Sequence, residues 1–166
     1  MARRASGEPI DPRPRREPDT RVFFEDVVVG VEQTSGWYEV ERDEIIEMAS
    51  RWDPVPFHLD EQAAKASIFG GLAACAPHIF AISSRLSHEL PGPLALIAGL
   101  GGEGLQLLAP VLAGARVRLV RRFTGARASK SRPEAGIVSF EDRLEAPDGK
   151  VVFKTSGSVL LERRPA

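Results

Sequence analysis

Apolar residues follow two different periods along this chain, one in each half. Between residues 43 and 90 they recur every three or four positions, as on one face of an α-helix. In the second half they alternate with polar residues, as Val117 and Leu119 do with Arg116 and Arg118. Helices followed by a run of antiparallel strands predict an α+β fold, in which the sheet wraps around one long helix.

The first predicted helix begins after Asp43, which we expect to be its N-cap. Its apolar face consists of Ile45, Ile46, Met48, Ala49 and Trp52. The helix must stop before Pro54, and the two prolines predict a stiff loop over Pro54–Phe57. A short helix with Asp60 as its cap should follow this loop.

The longest and most apolar helix is predicted between Ala74 and Leu90. Pro77 lies near its start, where a missing backbone N–H has no cost, and Pro91 and Gly92 follow its end. We interpret this segment as a buried central helix.

Turn and breaker residues divide the rest of the chain. The sequence "APDGK" predicts a hairpin turn with Asp148 and Gly149 at its tip. Near the start, "VFFEDVVVG" predicts a short extended or irregular cover, and "TSGWYEV" predicts a strand that opens after Gly36. Residues 1–19, rich in Arg, Pro and Glu, predict a disordered or extended tail, and residues 20–166 a single domain.

The composition favours one soluble domain with a small-molecule partner. The 166 residues include 22 basic and 23 acidic ones, a formal net charge of −1, which is not typical of nucleic-acid binding or membrane adhesion. Apolar runs are shorter than the roughly 20 residues that span a bilayer, and no signal-peptide pattern opens the chain, so we expect a cytoplasmic protein. The single cysteine, Cys75, excludes an internal disulfide and a multi-cysteine metal site, and no metal is expected.

The segment "WDPVPFHLD" sets a carboxylate and an imidazole five positions apart, at Asp53 and His58. Alone, this spacing is a weak signal: Asp53 also suits a helix end, and His58 a packed side chain. The context is more informative, because the prolines stiffen the loop that carries the pair. The loop also precedes "FGG" and the central helix, whose N-terminus faces the same cleft in this interpretation.

The stretch "DPVPFHLDEQAAKASIFGGLAACAPHIFAI" resembles the MaoC-like (R)-specific enoyl-CoA hydratases and dehydratases of the hotdog fold. A second stretch, which includes "SKSRPEAGIV" and "DGKVV", resembles the terminal strands of the same family. The resemblance covers about residues 20–164. It implies a single hotdog domain and a hydro-lyase that adds water to a trans-2-enoyl-CoA or removes it from an (R)-3-hydroxyacyl-CoA.

The resemblance also implies roles for individual residues. Asp53 and His58 are expected to hold a water against the β-carbon of the enoyl thioester, as a base and an acid for proton transfer. The backbone N–H of Ala76 is the expected donor to the enolate oxygen, and Ser84 matches a serine that steadies the aspartate. The expected substrate-binding residues are Val55, Phe57, Phe69, Gly71, Cys75 and His78. No cofactor is expected, because coenzyme A is part of the substrate.

The chain departs from the family pattern at two places, and two alternative functions stay open. Val55 replaces a frequent asparagine, and Cys75, Ala76 and Pro77 replace a His-Gly-Met or Ser-Gly-Trp stretch. These changes are compatible with a non-catalytic subunit that binds acyl thioesters. A hotdog thioesterase is the other alternative, although many such enzymes use a carboxylate on the central helix and residues 74–88 contain none.

Two further expectations concern partners. A single hotdog leaves an open sheet edge, so we expect a homodimer with its active sites at the interface. A set of basic residues on the strands is able to meet the phosphates of coenzyme A, but a solvated strand face is the favoured interpretation. This set is Arg116, Arg118, Arg121, Arg122, Arg127, Lys130 and Arg132.

Overall fold

The α-helices precede the four long strands in the computed structural model, which describes residues 20–165. The helices are α1 (Arg42–Trp52), α2 (Pro56–Leu59), α3 (Glu61–Ala66) and α4 (Ala76–Ser87). The strands are β1 (Glu32–Thr34), β2 (Tyr38–Glu39), β3 (Leu96–Leu107), β4 (Arg116–Ala128), β5 (Ala135–Glu145) and β6 (Val151–Glu162). The predicted α+β class is confirmed. Within this part of the chain, no helix has the length and apolar character to cross a bilayer.

All of these strands belong to one antiparallel sheet. Its order is β1-β4-β5-β6-β3, and β2 also pairs with β4. The predicted hairpin turn is confirmed between β5 and β6: the N–H of Ala146 donates to the carbonyl of Lys150, and the carbonyl of Ala146 accepts from the N–H of Gly149, which has a φ of +83°. Glycine adopts such a positive φ without steric cost. Among the described strands, β3 pairs with β6 alone and forms an edge of the sheet.

The sheet packs against one face of α4, which is the predicted central helix. Ile79, Ile82 and Leu86 of this helix lie in the same buried core as Leu119 of β4 and Phe153 of β6. Burial of each such side chain contributes about 1.5–3 kcal/mol. The sheet and α4 therefore hold each other in place, and the N-terminus of α4 is fixed relative to the strands.

The α4 helix is shorter than predicted at both ends. Ala74 lies outside it because its N–H donates to the carbonyl oxygen of Val111 at 2.8 Å, which keeps this residue extended. Pro77 occupies the first turn, as predicted. At the other end the N–H of His88 bonds to the carbonyl of Arg85, the tight pattern in which helices often finish.

The prediction that Asp43 is the N-cap of α1 is wrong. The helix starts at Arg42, two residues earlier than predicted, and its N-cap is Glu41, whose side chain makes no capping hydrogen bond. Asp43 instead accepts a hydrogen bond from Arg42 at 2.7 Å. A carboxylate in the first turn interacts favourably with the helix dipole without capping a backbone N–H.

The segment after α1 is more helical than predicted. Trp52 ends α1 before Pro54, as predicted, but its side chain is 68% exposed rather than buried. Pro56 begins the one-turn helix α2 and so shortens the loop expected over Pro54–Phe57, because a proline at the first helical position has no N–H to lose. The cap of α3 is confirmed, since Asp60 accepts a backbone N–H of the first turn at 2.8 Å.

The chain before α1 covers one end of the sheet. The stretch "VFFEDVVVG" contains a buried Phe23 and a 3-10 turn at Phe24–Asp26, in keeping with an irregular cover. The strand expected after Gly36 is β2. The strand β1 was not predicted, because its residues Glu-Gln-Thr show no apolar alternation. The tail predicted for residues 1–19 lies outside the described residues.

One member of the basic set is not on a solvated face. The side chains of β4 that point towards the core are Val117, Leu119, Arg121 and Phe123, all buried. Arg121 therefore occupies an inward position, and the prediction of a solvated face is wrong for this residue. Alternation alone places Arg121 on the same face as Val117 and Leu119, but its charge favours a solvent-exposed position.

Candidate active site

Asp53 and His58 are positioned by the end of α1 and by α2. The N–H of Asp53 donates to Ala49 at 2.9 Å, which makes Asp53 the C-cap of α1. Val55 then bonds to both candidates through its backbone: its N–H donates to the carbonyl of Asp53 at 2.7 Å, and its carbonyl accepts from His58 at 2.9 Å. The backbone between Asp53 and His58 is thus a closed double turn, stiffened by prolines on both sides of Val55.

The His58 ring is fixed by one hydrogen bond. Its Nδ1 lies 2.7 Å from the carbonyl oxygen of Ala73, and the side chain is buried. A carbonyl only accepts, so Nδ1 carries the proton, and in the neutral ring Nε2 is an acceptor. This second nitrogen faces Asp53, at 3.7 Å from Oδ2.

The gap between these two atoms suits a small donor. A distance of 3.7 Å is too long for a direct hydrogen bond. Both Nε2 of neutral His58 and the Asp53 carboxylate are acceptors, so a water molecule with two O–H groups is able to donate to both. The pair can therefore orient one water and take a proton from it.

Two aromatic rings form an apolar wall beside this gap. The ring of Phe57 meets that of His58 edge to face, with centroids 4.5 Å apart. Phe69 packs on Phe57 at 5.1 Å. These two predicted substrate-binding residues are thus brought to the candidate pair. Gly71 is half-buried, and a Cβ at this position would lie 3.6 Å from the side chain of Leu112.

The start of α4 offers one backbone donor. Pro77 has no N–H. The N–H of His78 interacts with the thiol of Cys75, and this interaction by itself lowers the pKa of Cys75. Among the first residues of α4 this leaves the N–H of Ala76, a group that has no partner within a helix. The pKa of Cys75 is raised overall, mainly by burial, and the negative charge of Asp53 adds to this effect. The role of the Ala76 N–H as donor to the enolate oxygen stays a prediction.

Ser84 lies two turns further along α4. In the described part of the chain no hydrogen bond joins its hydroxyl to Asp53, so its orienting role stays a prediction. The side chain instead lines a cavity of about 370 Å³ between α4 and the sheet. We call it the serine cavity, because Ser83, Ser84 and Ser87 of α4 form one wall.

His78 faces a different cleft, between α1 and α4, whose lining includes neither Asp53 nor His58. Its Nε2 is 3.9 Å from Oε2 of Glu44, and burial lowers the pKa of His78. The hydroxyl of Tyr38 donates to the same carboxylate at 2.6 Å, and its pKa is raised to about 12, mainly by burial. No sequence pattern indicates this cluster, because its members come from three separate elements.

Comparisons with known proteins agree with this architecture. Residues 25–141 match the family model described as "MaoC like domain". The MaoC-like dehydratase from Rhodospirillum rubrum superposes with a TM-score of 0.80 and 38% identity, over 87% of this chain and 99% of that chain. A comparison with curated protein sequences found no match.

Two more distant structures share the fold. R-Hydratase PhaJ1 from Pseudomonas aeruginosa has a TM-score of 0.71 and 19% identity, over 87% of this chain and 88% of that chain. A chain of the HadBC (3R-hydroxyacyl-ACP dehydratase) complex from Mycobacterium tuberculosis has a TM-score of 0.65 and 16% identity, over 81% and 97%. At these identities the likeness concerns the fold alone.

Proposed function

Because the chain belongs to the MaoC-like dehydratase family, we propose that it is a hydro-lyase acting on acyl-CoA thioesters. The reaction adds water to a trans-2-enoyl-CoA or removes it from an (R)-3-hydroxyacyl-CoA. The observation that carries this proposal is the gap of 3.7 Å between His58 Nε2 and Asp53 Oδ2, with the other ring nitrogen anchored to Ala73.

In the hydration direction, one water supplies both new groups. It donates one O–H to the Asp53 carboxylate and the other to Nε2 of His58. As its oxygen bonds to the β-carbon, His58 takes the proton, and the imidazolium is stabilised by the adjacent carboxylate. The electrons of the double bond move towards the thioester oxygen, where the N–H of Ala76 and the α4 dipole stabilise the negative charge. His58 then returns the proton to the α-carbon, so the reaction needs no cofactor.

The exposed strand β3 supports a homodimer. Every residue of β3 is exposed, and its edge has no partner strand among the described residues. Leu96, Leu100, Leu105 and Leu107 are each about half exposed. A long apolar edge strand is a template for pairing with another chain, and a second copy is the simplest partner. We place this dimer in the cytoplasm, as the sequence predicts.

Turnover of crotonyl-CoA and longer trans-2-enoyl-CoAs tests the proposed reaction. Loss of absorbance at the enoyl-thioester band, without release of free thiol, is the expected result. Release of thiol would identify a thioesterase instead. Binding of the acyl-CoA without either change would identify a non-catalytic subunit, and both results contradict the proposal.

A further inference from the structure

The inward face of the sheet carries a buried ion pair. Arg121 of β4 and Asp142 of β5 lie opposite each other in register. Nε of Arg121 donates to Oδ1 at 2.8 Å and Nη2 to Oδ2 at 2.7 Å, and the two residues are 7% and 5% exposed. The ring of Phe140 lies 4.4 Å from the guanidinium carbon.

This pair interrupts the apolar core. Leu119 and Leu144 lie in one core cluster, whereas Phe123 and Val138 lie in another. The strand positions between them are those of the ion pair. Replacing a buried ion pair with two apolar side chains of similar volume often leaves a protein equally stable or makes it more stable, because buried charges lose their hydration. Stability therefore gives little reason for charges here, and a ligand gives a better one.

The ion pair lines the serine cavity. Phe80, Ser83, Ser84 and Ser87 of α4 form one wall, and Arg121 and Asp142 lie on the sheet side. Three glycines of β3, three hydroxyl side chains of β6, and the apolar residues Phe140 and Val159 complete the lining. The glycines leave the space open, and most of the other groups are able to form hydrogen bonds.

The serine cavity and the expected Ala76 donor lie along one face of α4. Ala76, Phe80, Ser83, Ser84 and Ser87 are spaced by three and four residues and so form a single stripe. At 1.5 Å per residue, the stripe extends roughly 12 Å from Ala76 to Ser84. If the Ala76 N–H binds the thioester oxygen, an acyl chain that runs along α4 enters this cavity.

Arg121 has donor capacity left over for such a chain. Asp142 uses Nε and Nη2, and no described residue accepts a hydrogen bond from Nη1. Because Asp142 already compensates the charge of Arg121, the site favours a neutral oxygen over a second carboxylate. We propose that the serine cavity binds the acyl chain and selects chains that carry a neutral oxygen, such as a hydroxyl group. This inference rests on the proposed function.

Binding of saturated thioesters tests this selection without turnover. The probes are hexanoyl-CoA and 6-hydroxyhexanoyl-CoA, and the matching eight-carbon pair, measured by calorimetry. A hydrogen bond to a charged donor predicts about tenfold tighter binding of the hydroxylated member of at least one pair. Equal affinities within both pairs, or no binding of any probe because another chain fills the cavity, would overturn the proposal.

Variants locate the effect. The double variant Arg121→Met/Asp142→Leu should lose the preference for the hydroxylated chain and bind the plain chain better. Ser87→Leu should weaken binding of both eight-carbon probes by filling the cavity. Ser50→Leu is its matched control, because Ser50 on α1 makes the same bond to the carbonyl three residues earlier, at 2.8 Å, and lies away from the cavity. An unchanged preference in the double variant, or equal effects of the two leucines, contradicts the inference.

The outcomes separate this inference from the proposed reaction. A preference for the hydroxylated chain that the double variant loses supports the inference even if crotonyl-CoA is not hydrated. Hydration of crotonyl-CoA without any preference supports the proposed reaction and overturns the selection.

Discussion

Removing one partner of the Arg121–Asp142 pair should destabilise the fold strongly. Arg121→Met leaves the Asp142 carboxylate only 5% exposed and without its counter-charge. The loss of a partner from a buried pair costs about 3–5 kcal/mol of unfolding free energy. In a chain of 166 residues, each kcal/mol shifts Tm by about 2–4 °C, so Tm should fall by roughly 6–20 °C.

The neighbouring residues provide a matched control. Arg122 and Glu141 form the next pair on the same two strands, with Nη2 and Oε2 at the same 2.7 Å, but their side chains are 47% and 56% exposed. An exposed pair contributes about 0–1 kcal/mol, so Arg122→Met should change stability little. The double variant Arg121→Met/Asp142→Leu removes both charges and should be more stable than Arg121→Met alone.

Urea unfolding followed by far-UV circular dichroism measures these differences at pH 7. The reasoning is refuted if Arg121→Met and Arg122→Met lose the same stability. Asp142→Leu completes the comparison: the reasoning is also refuted if the double variant loses the sum of the stabilities that Arg121→Met and Asp142→Leu lose separately, because the charges would then act independently.

Three other results are expected. Hydration of crotonyl-CoA in D2O should place hydroxyl and deuterium on the same face, because one water and one imidazole supply both; NMR showing opposite faces would contradict this. Leu105→Lys on β3 should halve the mass measured by light scattering, whereas the exposed Val28→Lys should not; a monomeric wild type refutes the dimer. Burial lowers the pKa of His78 below its ordinary 6.5 more than the charge of Glu44 raises it. The unfolded chain therefore binds this proton more readily, and stability should fall as the pH drops below about 6.5. Urea unfolding of His78→Leu should lack this part of the fall, and an identical pH profile contradicts the assignment.

Much of the fold follows from periodicity and from residues with restricted backbones. The apolar spacing in α4, the proline at its start and the turn around Gly149 each favour one conformation, and all three predictions are confirmed, although α4 is shorter than predicted. The errors have equally local reasons. Asp43 is a good capping residue but lies inside the first turn, and Pro56 is compatible with both a loop and a helix start, so tertiary contacts decide.

The candidate site was predictable only in part. The resemblance identified Asp53 and His58, and the sequence explains how prolines hold them. It does not show the carbonyl of Ala73, which fixes the ring of His58 from a position fifteen residues later. Arg121 was assigned to solvent because its counter-charge, Asp142, lies on another strand. Contacts between distant residues therefore account for what the sequence left open.

The most direct test of the central claim compares Asp53→Asn and His58→Ala with matched controls. Asp60→Asn keeps a capping residue at the start of α3, and His88→Ala changes an exposed histidine at the end of α4. The measurement is kcat/KM for trans-2-enoyl-CoA hydration, read at the enoyl-thioester band. If Asp53 and His58 move the proton, their variants should lose about 10²–10⁴-fold in rate while the controls stay near wild type. Full activity in Asp53→Asn and His58→Ala would contradict the account.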